Sequence, residues 1–145
     1  MADRKVLGLL SVFLVLLLTV PEDKEFALAK KRYHKFLDSI ASHEKYGRFS
    51  RPVVLTGYRS LGKGLLGWNS GKGSEVSVCT NGSANSIMHI ILHEFAHQTV
   101  KEYSHSERFW ANLDEIKTLA EQSNLYDRIN SKTEICGSYV DDNGR

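Results

Sequence analysis

An α+β domain is what this sequence predicts, and three observations carry that expectation. Apolar residues recur at three- and four-residue spacing around positions 26–40, 87–100 and 109–119, the signature of helices with one buried face. Two short runs, Val53-Val54-Leu55-Thr56 and Glu75-Val76-Ser77-Val78-Cys79, are rich in β-branched residues and read as strands. Glycines crowd the stretch between those runs, so a small antiparallel or mixed sheet joined by tight turns is expected.

Taken in order, the first element is a hydrophobic helix. From Val6 to Val20 the chain reads VLGLLSVFLVLLLTV, with Arg4 and Lys5 before it and Pro21-Glu22-Asp23 after it. Fifteen helical residues span ~22 Å, short of the ~30 Å hydrocarbon core of a bilayer. Three readings compete: a short uncleaved membrane anchor with Lys5 snorkelling, a signal peptide with Ala27-Leu28-Ala29 as cleavage site, and a buried core helix. The anchor is the preferred expectation. It makes residues 1–21 a membrane anchor or signal segment and residues 22–145 the folded domain. It also makes the protein single-pass and held in the membrane through residues 6–20, or secreted or lumenal if the segment is cleaved. Arg4 and Lys5 against the acidic PEDKE stretch put the N-terminus on the cytoplasmic side.

Residues 22 to about 46 place Phe26, Ala29, Tyr33, Phe36, Leu37 and Ile40 on one helical face, ending near Tyr46-Gly47. The strand at Val53–Thr56 is expected to close at Gly57. The stretch from Gly62 to Gly73 has no GxxxxGK[ST] pattern, so it reads as loop and hairpin turn rather than a phosphate cradle. After the strand at Glu75–Cys79, helices are expected over about 84–103 and 106–122. The tail from Leu125 to Val140 reads as irregular, with one short strand near Glu134-Ile135-Cys136.

Charge excludes more than it suggests. A formal net charge of +2 is too small to argue for nucleic acid, and the cluster Lys30-Lys31-Arg32 with Lys35 reads as the solvated face of a helix. Two cysteines, Cys79 and Cys136, exclude both a disulfide-rich scaffold and a cysteine-only zinc site. They make either one bridge or two buried thiols. Asn81-Gly82-Ser83 is a glycosylation acceptor if the domain faces the outside.

The chemistry concentrates at residues 93–107. His93 and His97 in His93-Glu94-Phe95-Ala96-His97 lie one helical turn apart, ~6 Å along the axis, so two imidazoles can reach one zinc ion at ~2.0–2.1 Å. Glu94 is displaced from both and suits a general base that takes a proton from a zinc-activated water and returns it to the leaving amine. With 6 histidines and 10 glutamates in 145 residues, HExxH arises by chance roughly 0.02 times in a shuffled chain, which favours function over a pair of surface histidines. A catalytic zinc takes a third protein ligand. Tyr103 and Val100 rule out the longer metzincin pattern. His105 is the preferred third ligand, with Glu107 and Glu102 as carboxylate alternatives. His89, one turn before His93, reads as a partly buried histidine bonded to backbone, or as support for the ligands. His34 and His43 are given no role.

The run HEFAHQTVKEYSHSERFW resembles the core of minimal zinc peptidases of the SprT-like and WLM-like group, in which a turn after HExxH carries a third histidine and leads into an aromatic-rich helix. The segment from Gly67 to Cys79 resembles the hairpin that precedes the catalytic helix in that group. The ending from Asn124-Leu125-Tyr126-Asp127 to Ile135-Cys136-Gly137 is similar to that of compact metallopeptidases of large DNA viruses and algae. The resemblance implies a zincin-like, minigluzincin fold with an HExxH active-site helix, and Zn2+ held by His93, His97 and His105. It makes Glu75–Cys79 the edge strand that holds an extended peptide. It also implies an electrophile for the oxyanion, for which Tyr103, Tyr126 and Tyr139 are candidates. The gap of residues 98–104 between His97 and His105 is longer than in WLM-like proteins. The expected function is that of a monomeric zinc metallopeptidase with a peptide or protein substrate and shallow selectivity. The rivals are a zinc-stapled interaction domain that cleaves nothing and a protease acting on proteins crosslinked to DNA, the latter disfavoured by the weak charge.

Overall fold

Residues 22–62 and 64–144 are described by the computed structural model of the chain. The first helix, α1 (Lys24–Ile40), opens on Asp23, whose carboxylate accepts from the backbone N–H groups of Glu25 and Phe26. Its buried face is Phe26, Ala29, Tyr33, Phe36, Leu37 and Ile40, the residues the spacing assigns to it. The helix stops six residues earlier than expected. Ala41 and His43 bond back to the carbonyls of Asp38 and Ile40, tightening the last turn. The chain then folds against the helix end at Gly47, where a Cβ would stand 2.6 Å from the Ala41 carbonyl oxygen.

Three strands, β1 (Val54–Tyr58), β2 (Gly67–Ser70) and β3 (Glu75–Cys79), form a mixed sheet in the order β1-β3-β2. β1 runs parallel to β3 and β2 antiparallel to it. Two expectations are corrected here. Gly57 does not close β1 but continues it, paired with Val78 of β3, and a Cβ there would stand 2.7 Å from side-chain atoms of Phe26 and Thr80. Glu75–Cys79 is the central strand, not the edge: the glycine-rich stretch read as loop itself supplies β2, which occupies the free side of β3 and becomes the edge.

Helix α2 (Ala84–Gln98) is capped by Ser83, whose hydroxyl accepts from Ser86 N–H. Glu25 of α1 adds a carboxylate acceptor for Ala84 N–H at 2.6 Å, so the first turn is satisfied from two directions. The helix is apolar on most sides because it is the central element of the core: Phe95 meets Phe36, Phe49 and Tyr33 edge-on. Helix α3 (Glu107–Gln122) follows, capped by Ser106. The tail, expected to be mostly irregular, forms the hairpin β4 (Thr133–Ile135) and β5 (Ser138–Val140). Cys79 and Cys136 are joined, which fastens this hairpin to the end of β3.

The expected single-pass membrane location is corrected as well. Among the described residues no helix is long and apolar enough to cross a membrane. The expected anchor falls on residues 6–20, which lie outside the described residues.

Candidate metal centre

His93 and His97 project from one face of α2, and the turn between α2 and α3 returns His105 to them. The Nε2 atom of His105 lies 3.0 Å from that of His93 and 3.1 Å from that of His97. Of the expected ligands, these three converge and the glutamates do not. The Glu102 carboxylate accepts from the Ser106 hydroxyl at the start of α3, and Glu107 stands exposed in the first turn of that helix.

The turn is pinned at several points, which is how a gap of residues 98–104 still delivers His105 accurately. The Thr99 hydroxyl donates to the Ala96 carbonyl and accepts from Asn112 of α3. Lys72, in the β2–β3 turn, donates to the carbonyls of His97 (3.3 Å), Val100 (3.0 Å) and Glu102 (2.7 Å). A cation on the last carbonyls of a helix also suits its dipole. These bonds explain why α2 ends at Gln98 rather than near Tyr103. Lys72 adopts φ +53° between two glycines of positive φ, which is the local geometry that turns its ammonium onto the helix end.

Beneath the three imidazoles lies Phe109, fully buried, with its ring centroid 5.0, 4.4 and 4.7 Å from those of His93, His97 and His105. Burial, followed by the charges of His97 and His105, pushes the His93 pKa down to about 3; burial and then His105 push that of His97 down to about 4. Both rings are therefore neutral at pH 7, with lone pairs available to a metal. The arrangement fits zinc on chemistry and size. A nitrogen with one in-plane lone pair or one N–H cannot make two full hydrogen bonds, as His105 would need to. A tetrahedron of ~2.0–2.1 Å Zn–N bonds has edges of about 3.3 Å, close to the observed spacings.

Glu94 is buried beside the triad, and among the described residues nothing hydrogen-bonds its carboxylate. Burial raises its pKa to about 7. The closest approach is from β2: a Cβ on Gly67 would stand 2.6 Å from Glu94 Oε1 and 2.8 Å from Ile90 Cγ2. Asn69, two residues on, donates to the Glu94 carbonyl and accepts from Gly73 N–H, fixing the hairpin to the helix. Sequence reasoning missed Gly67, Asn69 and Lys72 as supports of the site, although the glycine-rich hairpin was the signal that something approaches closely there.

A cleft of about 1020 Å³ runs between β2 and the helices over this centre. Of the candidate electrophiles, Tyr103 and Tyr139 line it, whereas Tyr126 is buried with its hydroxyl donated to Asp142. His89 is bonded to the Tyr126 hydroxyl rather than to backbone.

No protein-family model matches this sequence, and no curated protein matches it. Two solved structures are similar in fold, both of Wss1 from Saccharomyces cerevisiae. A mutant of it aligns with TM-score 0.50 and 21% identity over 74% of this chain and 90% of that one. Another crystal structure of Wss1 aligns with TM-score 0.46 and 20% identity over 62% and 77%. At this identity the likeness is one of fold: the chain has a small α+β architecture similar to that of Wss1.

Proposed function

We propose that the chain is a zinc-dependent peptidase in which His93, His97 and His105 hold the ion and Glu94 moves the proton. The observation that carries this reading is the convergence of three imidazoles over one aromatic floor, with an unpartnered buried carboxylate beside them. Zinc bound there supplies Lewis acidity and lowers the pKa of a water it holds towards ~7. With zinc held by the three histidines, Glu94, whose pKa burial raises to about 7, would be the group that accepts a proton from the attacking water and passes it to the leaving amine. Gly67 leaves the Glu94 carboxylate the space it needs, and the outer edge of β2 offers unpaired backbone groups along the cleft to an extended peptide. The WLM-like resemblance agrees coarsely with the fold likeness to Wss1.

The test combines elemental mass spectrometry with cleavage of an unfolded protein substrate. About one zinc per chain is expected in wild type and Glu94→Gln, lost in His97→Ala and His105→Ala. Cleavage is expected to fall about 10²–10⁴-fold in Glu94→Gln. Equal activity of Glu94→Gln and wild type would leave a zinc-stapled interaction domain, and a folded wild type that takes up no zinc would remove the site altogether. The fold likeness also keeps a second reading in view, a WLM-like protease acting on proteins crosslinked to DNA. Cleavage stimulated by DNA would favour it; the net charge of +2 speaks against it.

A further inference from the structure

Beyond the three imidazoles the cleft continues along α2 to His89, one turn before His93, where Lys117 of α3 and Asp142 of the tail close it. The hydrogen bonds there can be counted. Both oxygens of Asp142 accept: Oδ1 from the Lys117 ammonium, with His89 Nδ1 at a longer 3.5 Å, and Oδ2 from the Tyr126 hydroxyl (2.6 Å) and Ile129 N–H (2.7 Å). Tyr126 thus gives its only proton to Asp142. Its oxygen lies 2.9 Å from His89 Nδ1 and must accept, so Nδ1 carries the ring's proton. The longer 3.3 Å approach of Lys117 to the same nitrogen is then not a bond. His89 Nε2 is left with a lone pair and, among the described residues, no partner. Lys117, with its side chain 5% exposed, keeps donors beyond the one it spends on Asp142.

An unspent donor and an unspent acceptor therefore stand together at one end of the cleft, against Leu113 and Val140. Lys117 is neutralised by Asp142 and Arg128 by Asp114 and Glu121, His89 is held neutral by burial and then by Lys117, and Asp141 lines the same stretch. We infer that this end of the cleft is a subsite for an uncharged amide side chain, glutamine or asparagine, of the substrate. Lys117 donates to the amide oxygen and His89 Nε2 accepts from its NH2 group. An acidic side chain finds no surplus positive charge here, a basic one meets Lys117, and an aliphatic one leaves two polar groups desolvated and unpaired. The inference rests on the peptidase reading and names a substrate class for the same cleft, in place of the shallow selectivity expected of so small a domain.

The test is competitive cleavage by the zinc-loaded full chain of a peptide mixture in which each position flanking the scissile bond carries Gln, Asn, Glu, Lys or Leu. Preferences read as ratios within one digest do not depend on how much protein is folded. Wild type is expected to favour Gln or Asn over Leu about tenfold at one position. The double substitution Lys117→Met with Asp142→Asn removes both charges together, and His89→Phe removes the acceptor at similar volume; in each the ratio should fall towards one. A preference for Glu or Lys, or a ranking unchanged in both variants, would overturn the subsite while leaving the peptidase reading intact. No cleavage of any peptide by the zinc-loaded chain would overturn the peptidase reading and this inference with it.

Discussion

The two ends of the cleft are built in opposite ways. The metal end draws His93, Glu94, His97, His105 and Phe109 from one short stretch, residues 93–109, and rests them on an aromatic ring. The far end gathers His89, Lys117, Tyr126 and Asp142 from three separate elements and holds them by hydrogen bonds and the Lys117–Asp142 ion pair. Packing around rings supports the first and tolerates its lack of fixed charge. A network of donors and acceptors around Asp142 supports the second, where removing one member leaves others buried and unpaired. The contrast implies that each end can be broken without the other.

The largest effect is expected at the metal end. Phe109→Ala removes the floor beneath three imidazoles and should cost about 3–5 kcal/mol of stability. Zinc affinity should drop with it, even where the chain remains folded at low temperature. Denaturant unfolding with and without zinc measures both, and a variant as stable as wild type would show that Phe109 does not carry the triad.

Next in size is an effect of pH on the metal-free chain. The Glu94 pKa is raised in the fold to about 7 from 4.5, so the folded state holds the extra proton between those values. Its contribution is complete below about pH 4.5 and is lost as pH rises through about 7, on the order of 3 kcal/mol in all. His93 and His97 are shifted down, to about 3 and about 4 from 6.5, so their contribution is present above pH 6.5 and is lost as pH falls. Comparing Glu94→Gln with wild type isolates the carboxylate: the stability advantage of the variant should grow from pH 5 to pH 8. An advantage that stays constant over that range would mean Glu94 is ionised and well solvated.

The same contrast explains what could be read from the sequence. Helical spacing of four residues puts His93 and His97 together, and a short turn brings back His105, so the metal end is written in local order. The buried face of α1 and the run Glu75–Cys79 were legible for the same reason, since period and β-branching are local signals. The strand Gly67–Ser70 was legible only through the resemblance of residues 67–79 to a hairpin, and its place at the edge was not, because its backbone is recruited by the vacant side of β3. Lys72 as a helix cap depends on a turn folding over a distant helix end, which no spacing encodes. The far end of the cleft was invisible for that reason too: Lys117 and Asp142 are 25 residues apart and meet only through the fold of the tail.

That fastening gives a way to break the far end alone. Cys79→Ala with Cys136→Ala opens a link across 57 residues and should cost about 2–4 kcal/mol. Zinc stoichiometry should survive, because no ligand lies on the tail. Trypsin should then cut first at Lys132, which is exposed beside β4. Loss of zinc in step with tail cleavage would show that the two ends are one cooperative unit.

The smallest change expected is also the most discriminating, since Lys72 touches the metal end from outside it. Its ammonium serves three carbonyls at the end of α2 while lying 4.2 Å from the Tyr103 ring centroid. Lys72→Met keeps the stem and removes the donors, at about 1–2 kcal/mol. The carbonyls it abandons belong to His97 and to the turn that carries His105, so the loss should fall on zinc affinity more than on overall stability. The far end, which Lys72 does not touch, should keep its hydrogen bonds and its protection from amide exchange at Ile129. Zinc titration of wild type and Lys72→Met at equal folded fraction reads the first effect, and exchange at Ile129 reads the second. If zinc affinity is unchanged while stability falls, Lys72 is only a helix cap, and the hairpin does not position the third histidine.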